Sequence, residues 1–482
     1  MSCALEIEGL WVHARGAGRE HAIVRGASLQ LAAGTCLTLL GESGSGKSIL
    51  AHAIMGTLPG NLHTEGRIRL AGTQVLTGDA HIAAARGLWG RQLAMLPQEP
   101  WLSLNPTMAL QAQVAEVPHF LHRLGWSHAN QLARSALDTL GLGQTTRPFA
   151  HQISGGMAQR VAFAATRATG AALLIADEPT KGLDVTLRDR IGELLVQHVR
   201  ADADNALLTI THDVELAAQL GGYIAVMQDG SIVEQGPAAD LLKNPRHAYT
   251  RALIAAVPSR WPTLISPLPG DAQPVLTVDK LAKGFGETRL FQNLSFGMRE
   301  GEVVAVTGPS GCGKTTLGHM VIGIETASEG SVHWHSPTRA CQRQKLYQDP
   351  PAAFAPRRLL RMAIQDLINR HRLDWTQVHE LMTELSLAPA LLDRLPTEVS
   401  GGELQRLALI RVLLLQPSLV FADEPTSRLD PLLQQQTMSL IVDYAQRHRF
   451  AVLLVTHDPD LAARSAHHTL SGLFGNASPE GP

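Results

Sequence analysis

One pattern governs what this chain can become: a complete series of short motifs occurs twice, in the same order. GESGSGKS at 41–48 returns as GPSGCGKT at 308–315, and SGGMAQR from 154 returns as SGGELQR from 400. IADEPTKGLD, around Asp177, returns as FADEPTSRLD, around Asp423, and THD occurs with His212 and with His457. Lys314 lies 267 residues beyond Lys47, Gln348 lies 250 beyond Gln98, Ser400 lies 246 beyond Ser154, and His457 lies 245 beyond His212. The second copy is therefore 17 residues shorter between its glycine-rich loop and its glutamine, and its register is nearly constant after that. A chain built this way is two copies of one folding unit. The shortening is expected in a surface connection.

Pro258, Pro262, Pro267, Pro269 and Pro274, with Gly270, crowd the stretch between the copies. Proline at that density opposes helix and central strand and stiffens a connection. The expected organisation is a first domain over 1–243, a tail and proline-rich linker over 244–274, and a second domain over 275–482.

Apolar runs such as TCLTLL (35–40), VVAVT (303–307), ALLIAD (172–177) and SLVFAD (418–423) are short, unalternating and followed by helical patterns. Buried strands alternating with helices predict an α/β fold with a mostly parallel core sheet in each half. The segments 106–153 and 356–399 lack strong strand runs and read as a helical subdomain in each. Aromatic residues are 4% of the chain, so the cores must be aliphatic. The 41 Lys+Arg nearly balance 43 Asp+Glu, which argues against binding to nucleic acid through a basic surface. Cys3, Cys36, Cys312 and Cys341 stand far apart, with no CxxC pair to frame a disulfide scaffold or a cysteine zinc site. No apolar run reaches membrane-spanning length and the first residues lack a signal-peptide pattern, so a cytoplasmic location is expected.

GxxxxGK[S/T] between a strand and a helix is a phosphate cradle, in which glycines let several backbone N–H groups converge on one anion beside a helix N-terminus. Gly41, Ser43, Gly44 and Gly46, and Gly308, Ser310, Gly311 and Gly313, form the two cradles. Lys47 and Lys314 are expected on the β- and γ-phosphates, and Ser48 and Thr315 on Mg²⁺. Such a pattern arises by chance in about one chain in 50 of this length, so two in matching context exclude chance. Asp177 and Asp423 end apolar strands at the expected ligand edge and are assigned to the Mg²⁺ shell. Glu178 and Glu424 follow and are placed to deprotonate an attacking water. Gln98 and Gln348 can touch both metal and water, and His212 and His457 can reach a γ-phosphate. Each of these four would read as an ordinary structural residue if it stood alone. The serines and glycines Ser154, Gly155, Gly156 and Ser400, Gly401, Gly402 open apolar helices and form a second anion-seeking surface in each copy. Two such surfaces per unit fit a head-to-tail pair, with each ATP between the lysine loop of one half and the serine-glycine helix of the other.

On these motifs the chain resembles the ATP-binding cassette family along nearly its whole length. The resemblance implies Walker A loops at 41–48 and 308–315, Q-loop residues Gln98 and Gln348, and signature motifs at Ser154 and Ser400. It further implies Walker B Asp177 and Asp423 with glutamates Glu178 and Glu424, D-loops at Asp184 and Asp430, and switch histidines His212 and His457. SGGMAQR, NPRHAYTRALIAAVPS (244–259) and the segments PQEPWLSLNP and YQDPPAAFAPR are similar to the paired ATPases of dipeptide, oligopeptide and nickel importers. The resemblance implies ATP and Mg²⁺ as cofactors and an ATPase at the cytoplasmic face of the inner membrane. It also implies two permease subunits and a substrate-binding protein as partners, with membrane contact only indirect and the cassettes forming an internal pseudo-dimer. An aromatic residue that stacks on adenine is expected at Phe285; Ala14 stands in that place in the first half, where Trp11 is the substitute on offer. The first site is therefore expected to hold ATP less tightly. The second half ends in SGLFGNASPEGP without the strands and tail that follow GSIVEQG in the first. The rival readings are an exporter ATPase and a twin-cassette ATPase acting on translation. The short proline-rich connection and near-zero charge disfavour the latter.

Overall fold

A computed structural model describes residues 3–471 apart from 17–18, 72, 78–85, 100–102, 144–147, 154, 287, 310 and 428. The chain divides into two units, Met1–Ala255 and Ala256–Pro482.

In the first unit, β1 (Cys3–Gly16), β2 (Arg19–Ala32), β4 (Leu62–Leu70) and β5 (Thr73–Thr77) form an antiparallel sheet in the order β2-β1-β4-β5. The core sheet holds β3 (Cys36–Leu40), β6 (Leu93–Leu96), β7 (Leu173–Asp177), β8 (Ala206–Thr211), β9 (Tyr223–Gln228) and β10 (Ser231–Pro237), in the order β10-β9-β3-β8-β7-β6. All its pairings are parallel except β9 with β10. Every residue of β3, β7 and β8 is buried, which is why these strands read as continuous apolar runs. Helices Leu110–Glu116 and Trp126–Thr139 form the helical insertion, packed on signature helix Gly155–Arg167 through Leu110, Val114, Ala133, Leu137 and Phe163.

The second unit repeats this plan with β11 (Pro274–Phe285), β12 (Thr288–Arg299) and β14 (Glu329–Trp334) antiparallel, and β13 (Val303–Val306), β15 (Arg343–Leu346), β16 (Leu419–Asp423), β17 (Ala451–Val455) and β18 (His468–Leu470) parallel. Its insertion is again helical, with Leu360–His371 and Trp375–Glu384. Among the described residues the antiparallel sheet has four strands in the first unit and three in the second, with no counterpart of edge strand β5, which falls in the segment that is shorter in the second copy. An edge strand carries few core contacts, so its loss leaves the parallel sheet in place.

The proline-rich stretch is packed, not free. Trp261 is among the largest fully buried side chains of the chain and belongs to the core of the second unit, with Leu264 and Ile265 against the same core. Its indole donates to the Ala256 carbonyl at 2.8 Å. Leu264 N donates to Arg464 O, the Arg464 guanidinium donates to Ser259 O, and Gln446 donates to Ser266 O. Arg449 grips both oxygens of Asp271 at 2.9 and 2.8 Å. Proline limits the conformations open to the unfolded stretch, while its apolar residues supply the packing. Among the described residues, no helix is long and apolar enough to cross a membrane.

Trp261→Ala should destabilise the second unit by about 3–5 kcal/mol, the usual range for emptying a buried aromatic site. Denaturant unfolding of the whole chain should show the transition of that unit moving to lower denaturant while the first transition stays.

Candidate functional site

In each unit the site lies at the carboxyl ends of the parallel strands, where such sheets gather ligands. Gly46 precedes helix Lys47–Met55 with φ 99°, and Gly313 precedes helix Lys314–Ile322 with φ 105°. Side chains are strongly disfavoured at those angles, so glycine is needed for the loop to turn into its helix. Both lysines fold back over their own loops. Lys47 Nζ donates to Gly41 O at 2.7 Å and Glu42 O at 2.6 Å; Lys314 Nζ donates to Gly308 O at 2.7 Å and Pro309 O at 2.8 Å. Each ammonium is thus held in the cradle its loop encloses. Phosphate oxygens would be stronger partners than these carbonyls.

Ser48 Oγ donates to Asp177 Oδ1 at 3.2 Å and Thr315 Oγ1 donates to Asp423 Oδ1 at 3.0 Å. The two aspartates are buried, and burial pushes the Asp177 carboxyl up to about 6 despite the Ser48 hydrogen bond. The next residue in each unit is left-handed, Glu178 at φ 48° and Glu424 at φ 46°. Non-glycine residues rarely adopt this conformation, and its recurrence at one register position marks a functional turn. Each backbone is anchored across the sheet, by Glu178 N to Ile210 O and by Glu424 N to Val455 O.

The glutamates meet the switch histidines. His212 Nδ1 is 2.9 Å from Glu178 Oε1, and Thr211 donates to Glu178 Oε2 at 3.3 Å. His457 Nδ1 is 3.3 Å from Glu424 Oε1, while Gln348 Nε2 donates to Glu424 Oε2 at 3.0 Å. Burial alone would raise both glutamates, but their histidines, together with Lys47 and Lys181 at Glu178 and Lys314 at Glu424, more than offset it and hold the carboxyls below the usual range. Burial likewise opposes charge on His212 and His457, and the facing glutamates overcome it, raising both imidazoles.

The structure thus joins Gln348, Glu424 and His457 at one carboxylate, and Glu178 with His212 at the other; Gln98 is half-buried beyond β6. Ser154 and Ser310 lie outside the described residues. Ser400 caps helix Gly401–Leu413 in a capping box: Glu403 N is bonded to Ser400 Oγ, and Glu403 Oε2 accepts from Ser400 N at 2.9 Å and from its hydroxyl at 2.7 Å. A Cβ at Gly402 would stand 3.0 Å from Leu433 Cδ1, and one at Gly156 3.2 Å from Leu183 Cδ2, so the second glycine lets each signature helix approach its neighbour. Asp184 and Asp430 cap the next helices, accepting from Leu187 N and Leu433 N. Phe285 is 54% exposed at the end of β11, with Lys283 Nζ 4.8 Å above its ring. Trp11 instead lies over Gly26 of its own sheet and stacks in a row with His13 and His63.

Some residues of the site have no role assigned from the motifs. Buried Gln159 donates to Pro179 O, and buried Gln405 donates to Pro425 O at 2.9 Å. Each ties a signature helix to the loop after the glutamate, and their common spacing of 246 is the signal in the sequence. Tyr249, in the tail of the first unit, accepts from Glu42 N of the phosphate loop at 2.8 Å. Lys345 lies 3.1 Å from Asp423 Oδ2.

A raised histidine contributes stability that is complete below its ordinary value of 6.5 and is lost as pH climbs through the raised one. The lowered glutamate contributes above 4.5 and loses its share as pH falls through its own depressed value. His212→Ala should therefore cost more stability at about pH 6 than at about pH 9. Denaturation midpoints of both proteins at the two pH values measure the difference.

A model of the ABC transporter family matches residues 24–181 and 291–427, and one of the oligopeptide/dipeptide transporter C-terminal region matches 233–284. The chain is 34% identical to an uncharacterized ABC transporter ATP-binding protein, YejF, of Escherichia coli, across 99% of this chain and 95% of that protein. It is 31% identical to the peptidoglycan transport ATP-binding protein YejF of Agrobacterium fabrum, across 99% and 92%. Identity to the glutathione import ATP-binding protein GsiA of Salmonella typhi is 30%, across 99% and 86%. Among solved structures, that of an RNase-L Inhibitor covers 94% of this chain and 86% of its own with a TM-score of 0.66; at 20% identity this is a likeness of fold. With both phosphate-loop units matched and relatives aligned from end to end, the chain belongs to the ATP-binding proteins of the ABC transporter family and is a twin-cassette ATPase.

Proposed function

We propose that the chain energises import of small peptide-bearing solutes through a membrane permease, hydrolysing ATP at two sites. The observation that carries the import reading is the tail at 233–284, which matches the oligopeptide/dipeptide transporter C-terminal region. The relatives' names support it, since they describe peptidoglycan transport and glutathione import. Two permease subunits and a substrate-binding protein are the partners this reading requires. It places the chain peripherally at the cytoplasmic face of the membrane.

The site chemistry supports turnover at both cassettes. Ser48 with Asp177, and Thr315 with Asp423, present adjacent hydroxyl and carboxylate oxygens, the hard donors Mg²⁺ prefers beside phosphates. Bound there, Mg²⁺ would neutralise charge on the β- and γ-phosphates. Lys47 and Lys314 exchange loop carbonyls for phosphate oxygens and orient the triphosphate. Glu178 and Glu424, held ionised by their histidines, take the proton of the attacking water. His212 and His457 leave the glutamates for the γ-phosphate, and Gln98 and Gln348 touch the water or metal. Ser154, Gly155 and Gly156, and Ser400, Gly401 and Gly402, close over the triphosphate held by the opposite cassette. In the second signature motif Glu403 must release the Ser400 hydroxyl for this to occur. Phe285 stacks on adenine at the second site, and at the first Trp11 is held against its own sheet.

Replacing Glu178 and Glu424 together by glutamine should lower turnover by about 10²–10⁴ while leaving ATP binding intact, since an amide keeps the shape but cannot accept the proton. Steady-state phosphate release and equilibrium ATP binding on the purified chain separate the two effects. Retained turnover would remove the glutamates from the mechanism. For cargo, cells lacking this chain should lose uptake of labelled dipeptide or glutathione and regain it with the wild-type chain but not the double variant. Undiminished uptake of both would reject the solute class.

A further inference from the structure

The two aspartates proposed for Mg²⁺ do not share the same surroundings. In the second unit Thr315 Oγ1 donates to one oxygen of Asp423 at 3.0 Å, and the ammonium of Lys345 holds the other at 3.1 Å. Lys345 sits on β15, whose register pairs it with Phe421 two residues before the aspartate. Its side chain is only 13% exposed. The ammonium lies 5.1 Å from the ring centre of Phe421 and 5.3 Å from that of Tyr347, and 2.8 Å from His319 Nε2. Three kinds of contact thus keep this cation where it is.

Among the described residues the first unit has no ammonium at the matching place, although Lys47 and Lys181 lie near enough to favour charge on Asp177. The position matching Lys345 in the strand ladder is Met95, paired with Ile175 two residues before Asp177. His52, five residues after Lys47 as His319 is after Lys314, bonds instead to the Thr57 hydroxyl at 2.8 Å. A thioether brings no charge to the carboxylate.

An ammonium and a divalent cation cannot both use one carboxylate freely. A cation arriving at Asp423 must either displace Lys345 from its contacts or bind beside a fixed positive charge in a poorly solvated place, where repulsion is weakly screened. We propose that Lys345 is a built-in competitor for the divalent cation at the second phosphate loop, so that the second site needs more metal than the first to load its nucleotide. The inference rests on the assignment of Asp177 and Asp423 to the metal. It makes Lys345 a positioning residue acting through Asp423.

The test is Mn²⁺ binding to the full chain with adenylyl imidodiphosphate, read from the electron paramagnetic resonance of free Mn²⁺. The expected result is two classes of bound Mn²⁺ differing at least about tenfold in affinity, the scale on which neighbours of metal ligands act. Lys345→Met should bring the weaker class up to the stronger, Lys345→Arg should leave it weak, and Met95→Lys should weaken the other. A single class in the wild type, or a Lys345→Met curve that superimposes on the wild type, overturns the proposal. Asp423→Asn without effect on Mn²⁺ binding would overturn the metal assignment itself, and the role of Lys345 with it.

Discussion

An acidic pair at the end of one strand organises each half of this molecule. Asp177 and Glu178, and Asp423 and Glu424, sit where the parallel sheet ends; the first three are buried and Glu424 is partly so. Charge in such a place is tolerated only with partners. Each unit supplies them from different elements: a hydroxyl from the phosphate-loop helix and an imidazole from the end of the next strand. The sheet order puts the phosphate-loop strand and the acidic strand on either side of the histidine strand. The need to satisfy two carboxylates therefore joins residues more than a hundred positions apart. The left-handed turn at each glutamate fits the same account, because it is retained at identical register despite its conformational cost.

The halves share this plan but not their details. Among the described residues the second has no counterpart of β5, and the stretch before it folds onto its core through Trp261. That stretch contacts helix Pro459–Ser465 through Ser259 and Leu264. In the first unit the corresponding helix Val214–Leu220 is followed by the chain's own β9, β10 and helix Ala238–Lys243. Residues that precede its first strand thus pack on the core of the second unit. Unequal halves also carry unequal sites, with Phe285 against Ala14, Glu403 against Met157 and Lys345 against Met95.

How much of this could be read from sequence depends on whether the information is local. The phosphate loops, the acidic strand ends and the histidines were legible because each needs specific residue types at fixed spacing, and each occurs twice. The parallel sheet followed from unalternating runs such as LLIAD and LVFAD, buried at every position. The packing of 256–272 was not legible, because proline counts dominate that segment and Trp261 alone hints at a core. Gln159 and Gln405 stand in the repeated SGGMAQR and SGGELQR motifs, but their partners Pro179 and Pro425 do not follow from the spacing, and Lys345 belongs to no repeated motif. Glu403 is the intermediate case: S-x-x-E is a capping box by pattern, and the same serine is also the residue expected on phosphate.

The proposed mechanism requires ATP gripped by the lysine loop of one cassette to meet the signature motif of the other. A photoreactive group on the γ-phosphate of ATP, bound to the full chain in which Lys314→Ala has disabled the second loop, reports what faces the first one. Label recovered by mass spectrometry in the peptide containing Ser400, Gly401 and Gly402 is the predicted result. Label confined to peptides of residues 1–255 would contradict the account.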